Sequence, residues 1–112
     1  MKKDVKIFLE HILESISLIE DYTKGKKKKE FLDSKLLQDA VIRRIEIIGE
    51  AIINIPNDLK EKFKDIPWKN IIGMRDILIH QYFGADLALI WKVITENIPE
   101  LKLQILSVKA NL

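Results

Sequence analysis

Arg75, His80 and Tyr82 lie close together in a segment otherwise built largely from Ile and Leu, Gly73-Met74-Arg75-Asp76-Ile77-Leu78-Ile79-His80-Gln81-Tyr82. An arginine and a histidine together can do phosphodiester chemistry. The guanidinium neutralises charge developing on a pentacoordinate phosphorus, and the imidazole moves a proton near neutral pH. The tyrosine adds a hydroxyl open to covalent modification. Asp76, one turn before His80, is placed to accept an imidazole hydrogen bond and favour the charged form. Residue types alone leave a plainer account open. An Arg and a His near a helix end commonly form a salt-bridged, capped terminus, and a lone Tyr is commonly a half-buried aromatic with its hydroxyl in water.

Spacing constrains how these residues can cooperate. Five residues of an ideal helix turn through about 500 degrees, so Arg75 and His80 point about 140 degrees apart, about 7.5 Å apart along the axis. Arg75 shares a face with Trp68, Ile71, Ile72 and Ile79, whereas His80 aligns with Asp76 and Gly73. For both to reach one phosphate, the helix must end near His80 or a second copy must bring its own residues. RNA cleavage by attack of the 2'-hydroxyl commonly needs one proton acceptor and one donor. Each chain has only His11 and His80 to offer. A two-fold homodimer with the motif helices facing each other would bring two His80 and two Arg75 into one cleft, one imidazole acting as base and its twin as acid.

The elements that must hold this segment read as helical throughout, with 4 Gly and 3 Pro in 112 residues and apolar residues recurring at helical spacing. From about Lys3 to Thr23, Val5, Phe8, Leu9, Ile12, Ile16 and Ile19 form one apolar stripe, broken at Gly25. Lys26 to Lys29 read as a solvated loop between helices, with an auxiliary phosphate-contacting patch as the alternative. Ser34 to Ile55 carry Leu37, Val41, Ile45, Ile48 and Ile52 on one side and Leu36, Ala40, Ile47 and Ala51 on another. Only a strip through Asp39, Arg43, Glu46, Glu50 and Asn54 is polar, which predicts a helix buried on two sides. Gly49 within it suggests close approach of another helix rather than chemistry. Pro56-Asn57-Asp58 ends that helix, Leu59 to Phe63 form a short one, and the motif helix runs from about Trp68 to about His80 with Asp65 as cap and Pro67 in its first turn. Asp86 caps a last amphipathic helix carrying Leu87, Ile90, Trp91 and Ile94, kinked or restarted at Pro99.

Composition bounds the function. The chain is the size of one domain, residues 1–112, with 47% hydrophobic content. A net charge of +2, from 19 basic and 17 acidic residues, is too mild to argue nucleic-acid binding from charge alone. With no cysteine, disulfides, thiolate metal sites and Cys nucleophiles are excluded, and a reducing cytosol is the simplest home. Charges interrupt the amino-terminal segment before any apolar run reaches signal-peptide length, and no apolar segment approaches the roughly 20 residues of a membrane span. The expectation is a soluble, cytoplasmic protein.

Arg75, four residues, His80, one residue, Tyr82 resembles the Arg-x4-His-x-Tyr signature of the HepT proteins, minimal members of the HEPN superfamily. The likeness extends to Ala40-Val41-Ile42-Arg43-Arg44-Ile45-Glu46-Ile47-Ile48-Gly49-Glu50-Ala51, to Ile66-Pro67-Trp68, to Ile71-Ile72-Gly73-Met74-Arg75-Asp76 and to the Trp91 helix, nearly the whole chain. It implies an all-α antiparallel bundle of four to five helices that forms a homodimer, with the motif in a cleft at the subunit interface. It further implies a metal-independent endoribonuclease toxin acting on RNA without a cofactor, paired with a nucleotidyltransferase antitoxin of the MntA type. By position, Arg75 and His80 would be the catalytic pair, Asp76 their support, and Tyr82 the hydroxyl that receives AMP units. Bulky anions there would repel RNA from the cleft. Gly84 would keep the loop around Tyr82 open to the partner enzyme. Asp76 departs from the family's pattern, where asparagine is common.

Three other readings compete. Glu46 and Glu50, one turn apart, are compatible with a carboxylate-bridged metal bundle, but the Glu-x-x-His pairs of such sites are missing and an Arg43–Glu46 ion pair accounts for the acid. A helix-turn-helix DNA binder lacks a basic recognition helix after a short glycine turn. The third is a non-catalytic helical partner and AMP acceptor of a nucleotidyltransferase.

Overall fold

Apolar stripes at three-and-four spacing do become helices, and the way they pair sets the position of Arg75. The computed structural model describes the backbone of residues 2–80 and 86–112, and the side chains of 5–76 and 86–112; Tyr82 and Gly84 lie outside the described residues. The described residues contain no strand. Helix α1 (Lys2–Thr23) buries Val5, Leu9, Ile12, Ile16 and Ile19, the stripe expected from its sequence. It stops at Gly25, whose φ of 72° is left-handed. A side chain there would cost about 1–2 kcal/mol.

Only the first half of the lysine run, Lys26 and Lys27, forms the exposed loop that its charge suggested. Lys28 and Lys29 open a short helix, α2 (Lys28–Asp33), and Glu30 accepts a hydrogen bond from the Lys27 backbone N–H at 3.0 Å. What holds this six-residue helix is Phe31, which is fully buried and meets the Trp91 ring at a centroid distance of 5.6 Å. The Gln38 side-chain amide donates to the Phe31 and Leu32 carbonyls, tying the end of α2 to the next helix.

Helix α3 (Lys35–Ile53) begins at Ser34, whose hydroxyl accepts from the Leu37 N–H at 3.1 Å. It packs against α1 on one side and against α5 on another, as its apolar wrap predicts. The wrap is incomplete at its start, where Leu36 is 83% exposed. Helix α4 (Asn57–Lys62) begins two residues before the expected Leu59, because the Pro56 carbonyl already accepts from Leu59 and Lys60. Helix α5 (Trp68–His80) matches the expected span, but its first carbonyl is that of Pro67, not of Asp65. The buried Trp68 ring anchors its start by donating from Nε1 to the Phe63 carbonyl at 3.0 Å.

Asp86 caps α6 (Leu87–Lys92) through the Leu89 N–H, as expected. The break placed at Pro99 falls earlier, in a π-helical turn (Val93–Asn97) that leads into α7 (Ile98–Ala110). The Ile98 N–H reaches back five residues to Val93, and Pro99 then sits in the first turn of α7, where a missing N–H costs least. Counting α6, the π-turn and α7 as one rod, the described residues form six helices rather than four to five. The extra one is α2. The fold is all-α, and no described helix is long and apolar enough to cross a membrane.

Candidate active site at the joint of α3 and α5

Trp68, Ile71 and Ile72 turn one face of α5 onto the core, and Arg75 follows them at helical spacing toward α3. A long charged side chain can enter such a joint only if the opposing helix makes room. Gly49 makes it. A Cβ built on Gly49 would stand 2.6 Å from both Cβ and Cγ of Arg75, closer than real carbon atoms approach. The close approach foreseen at Gly49 is therefore real, but it serves the candidate catalytic residue itself.

The Arg75 side chain is only 22% exposed, while its two acidic partners are half open to solvent. Nη1 donates to Asp76 Oδ1 at 2.9 Å, and Nη2 donates to Glu50 Oε1 at 3.3 Å from α3. The bond to Asp76, joined by that to Glu50 and only partly opposed by burial, raises the guanidinium pKa above its already high ordinary value. Arg75 is therefore charged at every pH of biological interest. Its Nε is buried with no hydrogen-bond partner among the described residues.

Helix α5 is regular as far as His80, so the two motif positions do differ by about 140 degrees and about 7.5 Å along the axis. The side chain of His80 and all of Tyr82 lie outside the described residues. The structure thus brings Arg75, Asp76 and Glu50 together. Of these, Glu50 was weighed in the sequence only as a metal ligand beside Glu46, not as a partner of Arg75. A mid-helix Gly-Glu pair was the available signal, but only packing reveals which helix it faces. His11 is exposed on α1.

The carboxylate-bridged metal reading finds no support. No group of three or more possible metal ligands occurs among the described residues, and Glu50 is engaged by Arg75. No Arg43–Glu46 ion pair forms among the described side chains either. An apolar cavity of about 120 Å³ beside Met74 is lined by Ile45, Ile48, Ile71 and Val93, and it does not include Arg75. Such a lining does not suit a phosphate.

The model of the HepT-like ribonuclease family matches residues 12–108, most of the chain, with Gly49, Glu50, Arg75 and Asp76 among them. The chain belongs to this family. A relative from Methanocaldococcus jannaschii, named as a gamma-glutamylcyclotransferase and candidate RNase, is 61% identical over all 112 residues. The chain spans half the length of that relative. A protein from Thermococcus cleftensis named as a probable ribonuclease HepT is 51% identical over 102 residues, covering 91% of this chain and 93% of the relative. A second M. jannaschii protein, named as a candidate RNase, is 48% identical over 104 residues, 93% of this chain and 95% of its own. No solved structure matches the chain significantly.

For a HepT-like chain with Arg75 threaded past Gly49, Gly49→Ala has two opposed effects. Alanine improves helix propensity by up to about 1 kcal/mol, while forcing a methyl into a filled joint costs about 1–3 kcal/mol. The steric effect wins at 2.6 Å. Urea unfolding should show a net loss of up to about 2 kcal/mol. A variant as stable as the parent would mean that the joint has slack.

Proposed function

We propose that this HepT-like protein is a metal-independent endoribonuclease, the toxin of a toxin-antitoxin pair. The observation that carries the reading is Arg75, a permanently charged guanidinium held at the joint of α3 and α5 with its outer nitrogens turned to partly exposed partners. It stands at the arginine of the family motif. Arg75 stabilises charge developing on the phosphate, and His80 moves the protons between the 2'-hydroxyl, the phosphate and the leaving oxygen.

The cluster within one chain is short of positive charge, since Arg75 faces two carboxylates, Glu50 and Asp76. A polyanion approaching it would be repelled. A homodimer that adds a second Arg75 and His80 to one cleft doubles the phosphate donors, although each Arg75 brings its own carboxylates, and gives each proton transfer its own imidazole. The course of α5 up to His80 is compatible with the same arrangement, because an ideal helix sets the two positions about 140 degrees apart.

In the cytoplasm, control by the antitoxin, a nucleotidyltransferase, acts through Tyr82, two residues beyond His80. AMP units on its hydroxyl add bulk and negative charge beside the phosphate seat. Incubation with ATP and a cognate nucleotidyltransferase should therefore raise the intact mass by AMP units, and Tyr82→Phe should stay unchanged. No mass gain in the parent chain would sink the modification claim.

The compensated charge of Arg75 favours one rival, a non-catalytic partner and AMP acceptor of the nucleotidyltransferase. Growth separates the two. Production of the chain without its partner should arrest cells, and His80→Ala should relieve the arrest; equal harm from both would favour the rival.

A further inference from the structure

Arg75 is gripped at two points, and both grips on α3 come from neighbouring residues. Its stem lies against the bare backbone of Gly49, and its head donates to Glu50, the next residue. The third contact is of a different kind. Asp76 is adjacent to Arg75 on α5, so the bond at 2.9 Å holds the guanidinium to its own helix and does not link it to α3. The inner nitrogen Nε contributes nothing, being buried without a partner among the described residues. Among the described residues, Glu50 alone ties the guanidinium head to another helix.

We infer that Glu50 is the positioning residue of Arg75, fixing the plane of the guanidinium so that its outer edge faces the scissile phosphate. The inference rests on the ribonuclease reading. Each terminal nitrogen carries a second N–H, so the bonds to Glu50 and Asp76 leave one donor on each for a phosphate oxygen. Glu50 is 58% exposed, and so wet an ion pair adds little to stability. Its value lies in orientation, where small errors in placing a charged donor cost rate.

A positioning role needs an acceptor, not a charge, and two variants separate these requirements. Glu50→Ala should lower kcat for RNA cleavage by roughly tenfold, the scale of one hydrogen bond to a charged group, with KM unchanged or lower because a repelling charge is gone. Glu50→Gln keeps a carbonyl acceptor and should return kcat to near the parent value. The same proteins, labelled with 15N-arginine, should show separate Nη signals for Arg75 in the parent and in Glu50→Gln, merged by free rotation in Glu50→Ala. Arg75→Lys assigns the signals. Unchanged kcat in Glu50→Ala, or a Glu50→Gln variant as slow as Glu50→Ala, would overturn the inference. If the parent cleaves no RNA while the Nη signals merge only in Glu50→Ala, the grip on Arg75 stands and the ribonuclease reading falls.

Discussion

RNA incubated with the Arg75→Ala protein should remain intact, and so should RNA incubated with His80→Ala. Loss of one donor that stabilises developing anionic charge costs about 10²–10³ in rate, and loss of a general acid or base about 10²–10⁴. Either loss takes a slow endonuclease below detection on a gel. The melting temperature separates the Arg75 result from a folding defect. Truncation loses the stem packed over Gly49, but Glu50 and Asp76, both half open to water, are free to hydrate. Circular dichroism should show the variant melting within a few degrees of the parent. Arg75→Lys keeps the charge but loses the planar fork, so it should recover only part of the rate. Because Arg75 does not titrate in the accessible range, the proposed mechanism assigns any pH dependence of cleavage to His80. A dimer using one His80 as acid and the other as base gives a bell. Cleavage by Arg75→Ala at the parent rate would remove the arginine from the chemistry.

Phe31→Ala should produce the largest loss of stability of any single truncation considered for this chain. Phe31 has no exposed surface, stacks obliquely on Trp91, and holds α2 against the rod that begins at Leu87. Truncating a buried Phe to Ala costs about 3–5 kcal/mol, in proteins whose whole stability is about 5–15 kcal/mol. At this chain length that corresponds to a drop in Tm of roughly 10–20 °C. The cost should lie toward the upper end, because α2 has no second buried residue to keep it in place. A fall in Tm of under about 3 °C would mean that α2 can leave without disturbing the bundle.

That same helix shows where sequence reading reached its limit. The stripes of α1, α3 and α5 were readable because each repeats over several turns, and the repeats correspond to buried faces. Helix α2 has six residues, three of them Lys or Glu at its start, so no period could form; its one decisive residue, Phe31, earns its burial from Trp91, sixty positions away. The π-turn at Val93–Asn97 was hidden for another reason. A single five-residue hydrogen bond shifts the apolar face without interrupting it, and Pro99 drew the break to itself.

The site divides the same way. Arg75 was readable from residue type and motif spacing, and the regular α5 supports the helix arithmetic that separates it from His80. Glu50 was not, because its partner stands twenty-five residues later and only the packing of α3 on α5 makes them neighbours. Gly49 was read correctly as a close approach, but sequence does not say that the group approaching is Arg75. Tyr82 remains an argument from spacing.

The most direct test of the central claim uses purified, unmodified protein and a labelled RNA in excess chelator, resolved on a denaturing gel. The account predicts fragments that accumulate with time and end in a 2',3'-cyclic phosphate, as attack by the neighbouring hydroxyl requires. RNA that stays whole, or that is cut only when a divalent metal is restored, would contradict it.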